Sequence, residues 1–202
     1  MMKSNALQQV HRWPVRITHW INLFAMVCMF MSGLEIYNAS PLFDFRFPPQ
    51  VTLGGWLGGA IAWHLAVMWL LAGNALCYLL WSLFSGHFRR DLLPLRFGAL
   101  QREIWLALTL RLKHQHGRYN AIQKLMYLGV LVLGLLLVLS GLAIWKPVQL
   151  QGLVSLFGGF DTARYVHFYA MFGIGLFVVI HLLMVILVPR TLWAMITGGK
   201  HE

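Results

Sequence analysis

Four of the nine histidines in this 202-residue chain lie inside, or at the edge of, long uncharged stretches. They are His19, His64, His167 and His181. Imidazole binds metals and transfers protons, and an ionisable side chain at membrane depth is costly, so its presence indicates a function. A single such histidine could equally be a hydrogen-bonded structural residue. The four carry more weight together, because their positions form pairs.

Two of these histidines share the last apolar stretch. His167 and His181 are 14 positions apart. At about 100° per residue they fall roughly 40° short of four full turns, so they share one face of a helix. The rise between them is about 21 Å at 1.5 Å per residue. One helix is therefore predicted to present an imidazole near each membrane face.

The pairing of the four histidines follows from their distances in sequence from the basic residues that mark the membrane faces. His19 follows Arg16 by three positions, which places it at the same membrane face as His181, nine positions before Arg190. His64 and His167 each lie more than twenty positions before the next arginine, in the opposite half of the membrane. The sequence thus predicts two stacked bis-histidine sites, His19/His181 inside and His64/His167 outside.

Paired donors on different helices favour haem over other metal groups. Zinc and copper sites usually need three or four neighbouring donors, whereas two histidines fill the axial positions of a porphyrin iron, which then transfers electrons. Neither Cys28 nor Cys77 belongs to a C-x-x-C-H motif, and two thiols are too few for an ordinary iron–sulfur cluster. We therefore expect two non-covalent haems b, with Arg16 and Arg164 as candidate partners of their propionates.

The elements that position these histidines are four apolar stretches. Only 11% of the residues are charged, well below the usual quarter, and each stretch is long enough for a membrane helix of roughly 20 residues. The sequence predicts an all-α fold, a transmembrane four-helix bundle, as a single domain over residues 1–202. Its helices are expected at about 17–37, 52–84, 121–145 and 164–188, with a further helix at the cytoplasmic surface within 99–113.

The net charge of +10 is explained by topology. Thirteen of the sixteen lysines and arginines fall before the first span, between the second and third, or after the fourth. By the positive-inside rule, both termini are cytoplasmic in a multi-pass protein of the bacterial inner membrane. The basic surplus also suits anionic lipid and does not indicate nucleic-acid binding. The basic amino terminus and its apolar run are interpreted as an uncleaved first helix.

Several short motifs resemble one family. They are H-W at His19–Trp20, S-G at Ser32–Gly33, G-R-Y-N-A-I-Q-K at Gly117–Lys124, S-G-L-A-I-W-K-P at Ser140–Pro147, and H-x13-H in the fourth span. With them, nearly the whole chain resembles the four-helix di-haem cytochrome b subunits of the cytochrome b561 type. These include the gamma subunit of formate dehydrogenase and the b-type cytochrome of nickel–iron hydrogenases. P-V-R-I-T-H-W and W-K-P-V-Q look closest to cytochromes that accompany periplasmic molybdopterin oxidoreductases.

The resemblance implies roles for individual residues. Its axial ligands correspond to the four histidines above, and its quinone pocket to Asn120 and Gln123 beside the cytoplasmic haem. Hydrogen-bond donors at the membrane edge suit a quinone carbonyl. Ile122 replaces a glycine of the formate-dehydrogenase form, which alters the pocket. Asn120 and Gln123 could instead only cap the third helix.

Three functions are compatible with these features. The leading one is an electron-transfer subunit that links a quinone pool to a periplasmic oxidoreductase, for example one that contains molybdopterin, with electron flow in either direction. A second is a stand-alone quinone reductase that takes electrons from a small donor such as superoxide. A third is a haem-free transporter with a histidine proton relay, which predicts a colourless protein.

Overall fold

A computed structural model describes residues 12–85 and 121–198, and throughout these ranges the only regular elements are helices. In chain order they are α1 (Trp13–Ala39), a 3-10 turn (Pro49–Val51), α2 (Leu57–Phe84), α3 (Ala121–Trp145), α4 (Gln151–Leu156), α5 (Phe160–Leu187) and α6 (Pro189–Thr197). Four of them, α1, α2, α3 and α5, are long and apolar enough to cross a membrane. The predicted all-helical fold with four spans is confirmed. The predicted surface helix within 99–113 lies outside the described residues.

The helices fall into two compact units. The first contains α1, the 3-10 turn, α2 and α6, and the second contains α3, α4 and α5. Each unit is built on one antiparallel pair of long helices, α1 with α2 and α3 with α5. Large apolar side chains are widely exposed on both pairs, as a protein in contact with lipid requires.

The first span is longer than its sequence predicted. α1 begins at Trp13 rather than near residue 17, because Pro14 at the start of the helix has the φ that a helix needs and an N–H that needs no partner there. At the far end, the Asn38 side chain donates to the Phe47 carbonyl at 2.9 Å and accepts from the Phe47 N–H at 2.8 Å. This double hydrogen bond holds the loop that follows α1 against the end of that helix.

The second span starts later than predicted. The sequence indicated a helix from residue 52, but α2 begins at Leu57 because the preceding turn contains two glycines with positive φ, Gly54 at 119° and Gly55 at 71°. The Leu53 N–H donates to the Met31 carbonyl at 3.0 Å, which holds this turn against α1. The 28 residues of α2 therefore extend about 42 Å.

Small and polar side chains join the helices of each pair. In the first unit Ala25, Cys28 and Val67 form the buried core, and the buried Asn74 of α2 donates to the Thr18 carbonyl at 2.9 Å and to Asn22 Oδ1 at 2.6 Å. Hydrogen bonds of this kind hold helices together in lipid, where burial of apolar surface contributes little.

The second unit relies on small residues. Ala143 of α3 and Ala163, Ala170 and Ile174 of α5 are buried. A Cβ at Gly173 would lie 3.1 Å from a Leu133 methyl group, so the missing side chain lets α5 approach α3 closely. Such close packing through small side chains is typical of membrane helices.

The last helix returns to the first unit. α5 ends at Leu187, two positions before Pro189, which cannot donate a helical hydrogen bond. The guanidinium of Arg16 on α1 donates through Nε to the Met195 carbonyl at 3.0 Å, and through Nη2 to the Ile196 carbonyl. These carbonyls lie in the last turn of α6, where backbone acceptors lack helical partners. Arg16 thus ties α6 to α1.

Candidate haem-binding site

His64 is held by a serine of the neighbouring helix. It lies seven positions after the start of α2, and its Nδ1 is 2.9 Å from Ser32 Oγ on α1. Ser32 is fully buried, and its hydroxyl is 2.7 Å from the Cys28 carbonyl one turn earlier. A carbonyl can only accept, so we assign the hydroxyl proton to the Cys28 carbonyl, which leaves the serine oxygen to accept from the imidazole N–H.

His167 has the same environment in the second unit. It lies seven positions after the start of α5, and its Nδ1 is 2.9 Å from Ser140 Oγ on α3. Ser140 is fully buried and donates to the Leu136 carbonyl at 2.6 Å. Two helix pairs with different sequences therefore build one arrangement, a serine on the first helix and a histidine on the second. We call each arrangement a Ser–His couplet, Ser32–His64 and Ser140–His167.

With the serine protons assigned to the carbonyls, the tautomer of each imidazole follows. Because Nδ1 carries the proton that the serine accepts, the lone pair of the neutral ring is on Nε2. This is the form of histidine that coordinates a metal, and metal-binding histidines commonly donate their other ring N–H to a fixed acceptor. The donor chemistry of His64 and His167 therefore fits an axial ligand of haem iron.

A glycine makes room for one of the rings. Gly141 follows Ser140, and a Cβ at this position would lie 3.2 Å from His167 Cε1 and 3.6 Å from Nδ1. A side chain here would press on the imidazole, so glycine lets the ring sit against the backbone of α3. The sequence has the same Ser-Gly pair at Ser32–Gly33.

His19 and His181 occupy the other ends of their helices. His19 lies six positions after the start of α1 and makes an edge contact with Trp20, with ring centroids 5.4 Å apart. His181 lies six positions before the end of α5 and stacks on Phe177, with centroids 5.9 Å apart and planes 16° apart. α5 carries His167 and His181 as one uninterrupted helix. The pairs His19/His181 and His64/His167 join residues of different units, and that pairing stays a prediction.

The other candidate residues are placed as follows. The guanidinium of Arg16 bonds to α6, as described above, and Arg164 lies 3.8 Å from the Asp161 carboxylate one turn earlier. Asn120 and the side chain of Gln123 lie outside the described part. Within 12–85 and 121–198, no three histidine, cysteine, aspartate or glutamate side chains come together as a metal site.

Sequence reasoning missed the roles of Ser32 and Ser140. The signal available was the Ser-Gly pair, which occurs in both the first and the third span. What could not be read was which histidine each serine faces, because that depends on how two helices are aligned.

Comparisons with known proteins identify the family of this chain. The family model described as prokaryotic cytochrome b561 matches residues 10–198. The candidate protein-methionine-sulfoxide reductase subunit YedZ1 of Azospira oryzae is 46% identical over 196 residues, which cover 96% of this chain and 99% of that protein. No solved structure matches the chain. The chain belongs to the prokaryotic cytochrome b561 family of membrane electron-transfer subunits, for which haem b is the implied cofactor.

Proposed function

We propose that this chain is a di-haem cytochrome b that moves electrons across the bacterial inner membrane between a quinone pool and a periplasmic oxidoreductase. The observation that supports this proposal most is the repeated Ser–His couplet, because it prepares two imidazoles on separate helix pairs as metal ligands. Bound haem supplies a one-electron carrier with no open coordination position.

Each histidine pair has its own task in this proposal. His64 and His167 hold the outer haem, and their serines keep both rings in the Nε2-ligating tautomer. His181, about 21 Å from His167 along α5, holds the inner haem together with His19. Residues 1–202 act as one cytochrome domain with both termini in the cytoplasm, as the distribution of lysine and arginine indicates.

Quinone binds beside the inner haem. Asn120 and Gln123 are the proposed hydrogen-bond donors to its carbonyl oxygen. Arg16 and Arg164 are the proposed partners of the haem propionates at the inner and outer faces. A guanidinium has five N–H donors, so the two that Arg16 gives to α6 leave donors for a further acceptor.

The partner we propose is a periplasmic molybdopterin enzyme that reduces methionine sulfoxide in proteins. The name of the Azospira relative supports this choice. Reduction of a sulfoxide to a thioether consumes two electrons and two protons and releases water. A reductase partner accepts electrons, so we propose that they flow outward, from quinol at Asn120 to the periplasm.

The first test is a reduced-minus-oxidised visible spectrum of the detergent-purified protein, with a pyridine haemochrome count per chain. We expect two low-spin b haems per chain, both reduced by added quinol. One haem per chain would mean that a histidine pair is misassigned. A colourless protein would overturn the proposal.

A second test concerns the partner. Quinol oxidation should depend on the periplasmic reductase and its sulfoxide substrate when both are reconstituted with the cytochrome. Turnover of quinone with superoxide and no partner would instead identify the stand-alone quinone reductase.

A further inference from the structure

The serine hydroxyls of the two couplets have a role beyond packing. We propose that Ser32 and Ser140 are positioning residues that lower the midpoint potential of the outer haem by polarising the Nδ1–H bonds of His64 and His167. This inference rests on the proposed function, because it requires these histidines to be the axial ligands.

Each serine connects a backbone carbonyl to an imidazole. In the first unit the order is Cys28 carbonyl, Ser32 hydroxyl, His64 Nδ1, with heavy-atom distances of 2.7 and 2.9 Å. In the second it is Leu136 carbonyl, Ser140 hydroxyl, His167 Nδ1, with distances of 2.6 and 2.9 Å. A hydroxyl that donates to a carbonyl becomes a better acceptor, because hydrogen bonds in a chain polarise one another.

Burial strengthens this effect. Ser32 and Ser140 are both fully buried, and a hydrogen bond inside a protein is electrostatically stronger than one in water. The acceptor draws the proton of Nδ1, which raises the electron density and basicity of the ring. A more basic ligand favours the more positive, oxidised iron, so the midpoint potential falls.

The strength of the acceptor sets the size of the effect. A serine hydroxyl is neutral, so it polarises the imidazole less than a carboxylate in the same position. Both ligands of the outer haem receive the same moderate acceptor. The two contributions should therefore be similar and should act on the same iron.

A purely structural role is the alternative explanation. Serine hydroxyls join neighbouring membrane helices, and such bonds contribute modestly to helix association. A helix-joining role alone predicts that removal of the hydroxyl lowers stability and leaves the potential unchanged. The potential therefore separates the two roles.

The experiment is a redox titration of purified protein followed by visible and EPR spectra, for the wild type, Ser32→Ala, Ser140→Ala and the double variant. We expect each single change to raise the potential of one haem by up to about 59 mV, which corresponds to a tenfold change in its redox equilibrium. The double variant should shift the same haem by about the sum, with the other haem unchanged.

Two further variants serve as controls. Ser82 of α2 is also buried, and its hydroxyl has no partner among the described residues, so Ser82→Ala removes a buried hydroxyl that faces no imidazole. It should leave both potentials unchanged. Ser140→Thr keeps the hydroxyl and should restore most of the wild-type potential.

The outcomes separate the inference from the proposed function. Wild-type protein without haem would overturn both. Full haem content with unchanged potentials in both alanine variants would overturn the inference alone. Shifts of two different haems by the two single variants would support tuning by the serines but would overturn the pairing of His64 with His167.

Discussion

The two helix pairs, α1 with α2 and α3 with α5, share one feature and differ in most others. Both carry a serine on the first helix and a histidine seven positions into the second, joined by a 2.9 Å hydrogen bond. Their other inter-helix contacts have different chemistry. The first pair uses the amide of Asn74, while the second uses the approach of Gly173 to Leu133.

This difference separates function from packing. Helix association in lipid can be achieved by polar contacts or by small residues. The first pair uses a polar contact and the second uses a small residue. The geometry around the two imidazoles is the same in both, down to the i−4 carbonyl that receives the serine proton. The shared couplet is therefore the feature that our proposal assigns to cofactor binding, whereas the remaining inter-helix contacts differ between the two pairs.

The largest expected effect comes from removal of either couplet histidine. His64→Ala and His167→Ala should each halve the haem content, with loss of the outer haem and of electron transfer to the periplasmic partner. The inner haem should remain reducible by quinol. Pyridine haemochrome counts measure the haem content, and reduction of the remaining haem by added quinol measures its access to electrons.

Different haem contents in the His64→Ala and His167→Ala variants would contradict the equivalence of the two couplets. Loss of both haems in one variant and of one haem in the other would show that the couplets are not equivalent. Gln151→Ala, on the exposed surface of α4, provides a control with full haem content.

The connections between the paired helices provide the next test. Gly54 and Gly159 both have φ of 119°, but a Cβ at Gly54 would collide with the backbone of Ala60, whereas one at Gly159 would meet nothing within 4 Å. Both alanine variants carry backbone strain of about 1–3 kcal/mol. Only Gly54→Ala adds overpacking, about 1–3 kcal/mol more.

Thermal unfolding of the two variants measures this difference. Gly54→Ala should lower the midpoint temperature clearly more than Gly159→Ala. Equal losses would indicate that the turn before α2 relaxes without cost, and that its close packing is not required.

A smaller effect is expected where Gly141 faces His167. A Cβ at Gly141 would lie 3.2 Å from the ring, so Gly141→Ala should tilt the imidazole and weaken its bond to Ser140. We expect partial loss of the outer haem or a shift of its spectrum. Gly134→Ala in the same helix is the matched control, since a Cβ there would meet nothing within 4 Å. Unchanged spectra in both variants would mean that His167 has room to move.

The smallest expected effect is that of Asn74→Leu. It removes the hydrogen bonds to Thr18 and Asn22. Inter-helix hydrogen bonds in membranes contribute about 0.6 kcal/mol and at most about 1.7 kcal/mol. Unfolding by denaturing detergent should show a loss of this size with haem content intact, and Cys77→Ala, exposed on the same helix, should show none. A larger loss, or a loss of haem, would give the amide a role in the site.

Much of the fold could be predicted because lipid imposes a strong constraint on sequence. Long uncharged runs and the positions of lysine and arginine were enough to find the four spans. The ends of the helices were harder to predict, because they depend on local geometry, such as Pro14 at the start of α1 and the positive φ of Gly54. The predicted start of the second span at residue 52 was therefore five positions early.

The candidate site could be predicted only one helix at a time. The spacing of His167 and His181 follows from helical periodicity. The pairing of Ser32 with His64, 32 positions away, and of Ser140 with His167, 27 positions away, depends on the alignment of two helices. Periodicity within one helix contains no information on that alignment.

The link between Arg16 and α6 has a consequence for biosynthesis. The hydrogen bonds join residues 179 and 180 positions apart, so Arg16 is synthesised with the first helix long before its acceptors in α6. A ribosome that adds about 5–20 residues per second leaves this arginine without them for roughly 10–40 seconds. A chain that ends after α5 would lack these acceptors, so this link to α1 would not form.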